Sequence, residues 1–490
     1  MRLERVYWAS YAVLAVGMGL CIVLTMATPA RLAYDDHFTP IEIMVREHRP
    51  PLPEECWECY QPPLYYAVAS LAYGMTESTA KLVGTTPTQA TAAAKKVVQC
   101  TSTAAGSITL LLCLLILRVP TRRPPGIEAM SLASVALLPR HIYMSAMVTN
   151  DALTYLVASL AVYVFLRTSV RNWPLVGCML VGGLAGLAIL CKAYSMMTAG
   201  ALLCTAMLSR RRESDASKPR RKGERTMPQP QHRRMLGPVL AIAIPCLALG
   251  IWPTVRNLAH YNKPHVDNFD FFQTAMQSQF PGSRDQIDFT TFRIVSLLDR
   301  PWVHLSHVNS FWTELYARYW FDYEGLNISL AVSNEWRGFV RSLRLTGSQR
   351  TREDWKRVLA WSEKDVPRTL RIGAIASYCA GIPITAAILI SLFHSLRRLR
   401  ECSSTCLHTL NPLASLFVPI FQVLRLPFMS AMKAAFTLNA VSSAPWLLAT
   451  AVESLPAKLR HIVICLICLS LLTLLAANIN FIVYMFQHAA

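Results

Sequence analysis

The sequence predicts an all-α, polytopic membrane protein, a bundle of about 11 transmembrane helices with lumenal juxtamembrane helices. Three observations lead there. The 490 residues are 53% hydrophobic with a mean hydropathy of +0.33, too apolar for a soluble chain of this length. Apolar runs of roughly 20 residues, enough to cross a hydrocarbon core, recur along it. The Lys and Arg residues gather in alternate short loops, as they do where loops face the cytosol. The net charge of +19 therefore belongs to membrane topology, and nucleic-acid binding is set aside.

Taken in order, spans are expected near 8–28, 98–118, 128–147, 151–167, 174–191, 193–209, 236–255, 372–395, 410–427, 434–453 and 461–486. The first begins after MRLERVYW with no small-residue cleavage site, so it reads as a retained span and not as a removed signal peptide. With the N-terminus in the cytosol, one orientation accounts for every basic loop. Arg118, Arg122 and Arg123, then Arg167 and Arg171, then Arg397, Arg398 and Arg400, then Lys458 and Arg460 fall on the cytosolic side. So does the 210–234 segment, with 10 Lys and Arg against 3 acids. Rich in Arg, Ser, Pro and Gln without periodicity, the 210–235 loop reads as a disordered linker. It separates an N-terminal module, 1–209, from the rest. The seventh span (236–256), a lumenal segment (257–371) and the C-terminal helices (372–490) complete the chain. Two long segments, 29–97 and 257–371, face the lumen. The second carries the glycosylation sequon Asn327-Ile328-Ser329. No internal repeat of the transporter kind is visible.

The first lumenal loop, 29–97, is chemically the most pointed. Its stretch YDDHFTPIEIMVREHRPPLPEECWECYQPPLYY, residues 34–66, leaves the first span and at once presents two acids and a His. Thr39-Pro40-Ile41-Glu42 reads as a capping box with Pro at the first helical position, opening a helix over about 40–48. Its dipole favours ionised Asp35 and Asp36. An ionised carboxylate there can take a proton from an acceptor hydroxyl or hold a divalent cation. Neighbours in extended chain point opposite ways, so one of the two faces a substrate. Asp36 is favoured as nearer the helix, with Asp35 the alternative. The plain reading of both is a polar junction that ends the first span. Gln61-Pro62-Pro63-Leu64-Tyr65-Tyr66 then turns the chain back, its prolines fixing an elbow and its tyrosines suiting the headgroup layer. Cys56 and Cys59 have no second pair at metal spacing, which leaves a local disulfide or two free thiols.

The acidic pair followed some 25 residues later by QPPLYY resembles the GT-C glycosyltransferases of the protein O-mannosyltransferase and aminoarabinose-transferase kind. Met147-Val148-Thr149-Asn150-Asp151-Ala152-Leu153 is similar to their asparagine-aspartate turn. The small-residue span from Gly182 to Lys192 resembles one that ends in a lumenal lysine. Trp252-Pro253-Thr254-Val255-Arg256-Asn257, with Tyr261-Asn262 beyond, resembles their exit from the seventh span. The likeness runs over about residues 1–265. The chain has Asp-Asp-His where those enzymes have Asp-Glu with a later His, so the resemblance does not choose between the acids. It implies a GT-C fold, a polyprenyl- or dolichyl-phosphate sugar as donor, and inverting transfer of mannose or a related hexose to a hydroxyl of a protein or glycolipid. Catalytic work would fall to Asp36 or Asp35. His37, Gln61, Pro62, Tyr65, Tyr66, Asn150 and Asp151 would shape the acceptor side of the cleft. Asn150 is equally a helix cap.

Charge placement gives the other half of the expected site. Lys192, Arg256, Arg425 and Lys433 lie at lumenal span ends, where a cation is costly unless paired or functional. A lipid phosphate at headgroup level would pair them, and Lys192 and Arg256 are the expected phosphate ligands. Snorkelling to the interface is the bland alternative. Arg140 and His141, inside the 128–147 span, read as cavity-lining or as satisfied bundle interior. The aromatic run from Ser310 to Tyr323 reads as an interfacial anchor or a sugar platform, with Glu314 a candidate second acid. No cofactor is demanded, although a divalent metal is compatible with the aspartates. A transporter or lipid flippase, and a non-catalytic scaffold, are the rival readings. The sequon and dispersed cysteines lean toward the endoplasmic reticulum over a bacterial inner membrane.

Overall fold

In hydrocarbon every backbone amide must be satisfied inside its own segment, which makes apolar stretches helical. A computed structural model describes residues 7–32, 35–119, 123–216, 232–272, 284–325, 366–399 and 401–488. It is 77% helix, and no strand occurs among the described residues. The sequon at Asn327 and most of the basic 210–235 loop lie outside them.

The N-terminal half contains α1 (Trp8–Ala27), α2 (Phe38–Glu47), α3 (Leu64–Leu82), α4 (Pro87–Leu117), α5 (Pro125–Ala136), α6 (Pro139–Ser145), α7 (Asn150–Val170), α8 (Leu175–Cys191) and α9 (Met196–Ala216). After it come α10 (His232–Gly250), α11 (Trp252–Tyr261), α12 (Asn268–Phe271), α13 (Ile294–Asp299), α14 (Phe311–Trp320), α15 (Arg368–Leu396), α16 (Ser403–Arg425), α17 (Ser443–Glu453) and α18 (Ala457–His488). Among the described residues seven stretches are long and apolar enough to cross a membrane: α1, α4, α7, residues Leu236–Tyr261, α15, α16 and α18. The 3-10 helix Ala434–Ala440 and α17 form an eighth, bent by 71°. Leu175–Cys191 and Ala193–Ser209 are shorter apolar helices.

Two departures from the expected spans shape the end of the bundle that carries the first loop. The apolar stretch 128–147 is divided, because Pro139 cannot continue the ladder of α5 and instead starts α6. Arg140 thereby leaves the apolar track. And α4 starts well before 98, at a true capping box in which Thr86 accepts from the Gln89 amide, with Pro87 at the first position. This foot carries Lys96, whose Nζ donates to the carbonyls of Thr25, at 2.5 Å, and Thr28, at 2.9 Å, and closes the end of α1.

The glycines of α8 let it lie against α10. A Cβ on Gly182 would run into the Ile242 carbonyl, and one on Gly186 would come within 2.8 Å of the Leu249 side chain. Elsewhere α1 packs on α4 and α5, α9 on α16, and α15 on α18. The two halves of the chain are also joined by polar ties. Tyr155 on α7 donates to the Ala435 carbonyl at 2.8 Å, and Asn478 on α18 donates to that of Leu137 at 3.0 Å. Arg123 pairs with Glu453.

Candidate active site

Seven segments, drawn from both sides of the basic loop, converge on one cavity of about 190 Å³. The first loop contributes Asp35, His37, Glu58 and Gln61. The start of α7 and the end of α8 bring Thr149, Asp151, Lys192 and Tyr194. Arg140 enters from α6. The segment around α12 adds Asp267, and Glu324 lies just after α14. The end of α16 and the turn after it supply Arg425 and Lys433.

The two aspartates separate as neighbours in extended chain must. Asp36 is exposed and turned onto the start of α2. Its carboxylate accepts from the amides of Phe38, at 3.1 Å, and Thr39, at 3.2 Å, and from the Thr39 hydroxyl at 2.6 Å. Asp36, not Thr39, therefore caps this helix, and α2 opens at Phe38, earlier than the sequence pattern suggested. Asp35 points the other way, into the cavity, with Oδ2 at 2.9 Å from the Lys433 ammonium. Asp36, the acid favoured from the sequence, does not line the cavity, because its capping bonds turn it onto the start of α2. Burial pushes the Asp35 carboxyl up, but the charge and hydrogen bond of Lys433, with the charge of Lys192, more than offset it and hold the group below the usual carboxylate range. It is thus ionised at neutral pH. His37 is buried, its ring Nδ1 at 3.0 Å from the Tyr66 hydroxyl. Burial brings its pKa down to about 4, leaving a neutral imidazole.

The cations arrive already partnered. Lys192, with 8% of its surface exposed, donates to Asp151 at 2.8 Å, and the same carboxylate oxygen accepts from Tyr194. Arg425 pairs with Asp267 at 2.6 Å. Arg256 lies behind the wall, not in the cavity. Its guanidinium donates to the Tyr60 carbonyl at 3.1 Å, to Asn257, and stacks over Trp252. Of the two expected phosphate ligands, Lys192 thus reaches the cavity and Arg256 does not, because α11 turns it toward the first loop. Arg425 and Lys433 line the cavity as well. Asn150 is fully buried and donates to the Cys191 carbonyl at 3.3 Å, tying α7 to α8 and not facing the cavity. His141 is likewise enclosed in the bundle. Glu314 is buried away from the cavity, accepting from Arg318 at 3.2 Å and from Tyr323. The second acid from this region is instead Glu324, whose other face meets Arg318 at 3.0 Å.

The elbow serves as framework. Pro62, Tyr65 and Tyr66 are buried. The Tyr66 hydroxyl bridges His37 to the Glu58 carbonyl, at 3.4 Å from the latter, and Tyr65 stands edge-on to the His37 ring. Gln61 is the elbow residue that enters the cavity, donating to Glu58 at 3.1 Å and to Tyr60 at 2.8 Å. Cys56 and Cys59 form a disulfide. Glu58 was not singled out in the sequence, though its setting inside CxxC, in a loop already marked by acids, was a signal. Asp267 had one too, the Asp-x-x-Asp capping box that it forms with Asp270.

Among the described residues no three His, Cys, Asp or Glu side chains gather as a ligand set. Asp35, Asp151 and Asp267 each spend an oxygen on a fixed ammonium or guanidinium.

No protein-family model and no curated protein sequence matches the chain. Solved structures do. The oligosaccharyltransferase of Archaeoglobus fulgidus in a complex with Zn and sulfate superimposes with a TM-score of 0.50 at 13% identity, over 98% of this chain and 53% of that one. Its apo form gives 0.51 at 12% identity, over 99% and 56%. The same archaeal enzyme, AglB, with an inhibitory peptide and a dolichol-phosphate gives 0.50 at 12% identity, over 99% and 56%. The chain spans about half the length of these structures, and the likeness is one of fold, the GT-C fold.

Proposed function

We propose that the chain is an integral membrane glycosyltransferase, moving a sugar from a polyprenyl or dolichyl phosphate to an acceptor hydroxyl at the extracytoplasmic face, with inversion. One observation carries the reading: the ionised Asp35 shares a cavity with Lys192, Arg425 and Lys433. Asp35 takes the acceptor proton. The acceptor oxygen forms a bond to the anomeric carbon from the face opposite the leaving group, and the bond from that carbon to the phosphate oxygen breaks. The electron pair leaves with the lipid phosphate, whose growing charge the three cations stabilise. Tyr194 and Gln61 are placed to meet hydroxyls of the sugar or acceptor.

An apolar groove of about 520 Å³ supports a lipid donor. Tyr319, Trp320, Leu392 and Leu416 line it, and it shares the 3-10 helix Ala434–Ala440 with the cavity. Ala435 and Phe436 face the polar side, Thr437 and Ala440 the apolar one. A phosphate among the cations would leave its polyprenyl chain beside this groove. That the similar archaeal enzyme binds dolichol-phosphate favours the same donor class. Mannose or a related hexose as the sugar, a protein or glycolipid as acceptor, and the endoplasmic reticulum as the membrane complete the proposal. No metal enters it.

The test is transfer of labelled sugar from polyprenyl-phosphate hexoses by the purified protein in liposomes. Asp35→Asn is expected to lower the rate by about 10²–10⁴-fold, the usual worth of a general base. Asp36→Asn keeps a capping oxygen for the Phe38 and Thr39 amides and is expected to leave stability and most of the rate unchanged. Transfer that survives Asp35→Asn, or substrate movement across the bilayer by the Asp35→Asn, Asp36→Asn double variant, would sink the reading.

A further inference from the structure

Among the described residues the cavity holds one acid that no cation pairs. Asp35, Asp151, Asp267 and Glu324 each contact a cation at 2.6–3.0 Å. Glu58 does not: among the described residues no ion pair reaches it, and its carboxyl accepts from the neutral Gln61 amide at 3.1 Å. It is 3% exposed and lines the same cavity.

Its position is unusually well determined. Both ends of its short segment are cysteines joined to each other, and Cys59 is fully buried. Trp57, just before it, packs on Phe269 and Phe272 with ring centroids 5.5 and 5.6 Å away. Its own carbonyl takes the Tyr66 hydroxyl. A long flexible side chain has been given a fixed root beside the base.

Resting on the glycosyl-transfer reading, we infer that Glu58 is a further substrate-contacting residue, giving its carboxyl O–H to a hydroxyl of the bound sugar or acceptor, with the Cys56–Cys59 bond setting its reach. A buried carboxyl without a cation keeps its proton. Burial first, and then the Asp35 charge, push Glu58 up to about 8, against the pull of Lys433, Lys192 and Gln61. The remaining groups facing the cavity are balanced. Arg140, Lys192, Arg425 and Lys433 stand against the four ion-paired acids, while His37 is neutral and His265, on the segment after α11, is held below its usual range by burial. Ionised, Glu58 would tip this balance to negative and oppose an anionic donor. Protonated, it is a hydrogen-bond donor next to an ionised base, two carboxyls set apart by their surroundings.

The test compares the wild type with Glu58→Gln, Glu58→Ala and the Cys56→Ser, Cys59→Ser double variant, full-length in liposomes, using polyprenyl-phosphate hexoses. Wild-type kcat/KM is expected to hold up to about pH 8 and fall above it as Glu58 ionises. Glu58→Ala is expected to lose about 10-fold or more, mainly in KM, as for a lost hydrogen bond to substrate. Glu58→Gln, which keeps a donor, should recover part of that loss and lack the alkaline fall. The serine double variant should lose activity in step with Glu58→Ala while its thermal unfolding stays cooperative. Infrared difference spectra should show a protonated carboxyl band at neutral pH that Glu58→Gln removes. Glu58→Ala with wild-type KM and alkaline fall, or an infrared band that Glu58→Gln leaves in place, overturns the inference. A wild type that transfers no sugar under any donor sinks the glycosyltransferase reading first, so the two failures are distinguishable.

Discussion

At the scale of the residue, the decisive contact joins Asp35 to Lys433 at 2.9 Å across 398 positions of sequence. In the proposed transfer Lys433 has two tasks there: it keeps the base ionised, and it meets the leaving phosphate. Its own pKa is raised, since the charges of Asp35 and Glu58 outweigh the burial that would lower it. Removing it should therefore leave a double mark. In Lys433→Met the burial of Asp35 is no longer opposed by its largest favourable charge, so the carboxyl pKa rises toward and beyond its ordinary value. The acid side of the pH–rate profile, governed by protonation of that base, should move to higher pH. The rate at neutral pH should also fall, by about 10²–10³-fold if the cation acts like one electrostatic donor at the reacting oxygen. A profile that keeps its acid limb while the rate falls would assign Lys433 to phosphate alone. Because Asp35, Asp151 and Asp267 each already hold an ammonium or guanidinium, chelation with EDTA is expected to leave transfer unchanged. Lys433 and Arg425 were legible in the sequence as cations out of place at lumenal span ends. Asp35 was legible as half of a pair. Glu58 and Glu324 were not, because a buried acid is recognised by what surrounds it, and their surroundings are assembled from distant parts of the chain.

At the scale of the element, hydropathy located the spans but not their breaks. Pro139 was in plain sight, yet the apolar residues on both sides of it masked the division of α5 from α6 that delivers Arg140 to the cavity. In the same way the short 3-10 helix Ala434–Ala440 reads in sequence as the start of a span. In the fold it is the shared wall between a polar cavity and an apolar groove. This arrangement makes a prediction about the lipid and not about the chemistry. Leu416 faces the groove from α16, on the same helix that carries Arg425 into the cavity further on. Leu416→Trp should fill part of the groove. With a long polyprenyl donor KM is expected to rise by roughly 10-fold or more, the cost of overpacking being of order 1–3 kcal/mol. With a donor of one or two isoprene units, too short to occupy the groove, KM and kcat should stay near wild type. Equal effects on long and short donors would place the lipid elsewhere.

At the scale of the whole molecule, the site belongs to neither half alone. Asp35, Glu58, Asp151 and Lys192 come from before the basic loop, Asp267, Glu324, Arg425 and Lys433 from after it. The GT-C fold was foreseeable from the order of motifs in the first 265 residues. The C-terminal contribution was not, since its residues acquire meaning through packing against α7 and α9. That packing is extensive and largely apolar. Helix α9 lies along α16, α8 along α10, and the ties of Tyr155 to Ala435, Asn478 to Leu137 and Arg123 to Glu453 add direction to it. If these contacts, and not the covalent link, hold the halves together, the chain should tolerate a cut. Residues 1–216 and 232–490, produced as two polypeptides in one membrane, are expected to co-purify and to recover a substantial part of sugar transfer, while either alone gives none. Placing Arg123→Glu in the first fragment should weaken recovery by the worth of a half-buried pair turned repulsive, about 3–5 kcal/mol at most. Glu453→Arg in the second should restore it. Fragments that never associate would show instead that the intervening segment is needed to bring Asp35 and Lys433 into contact.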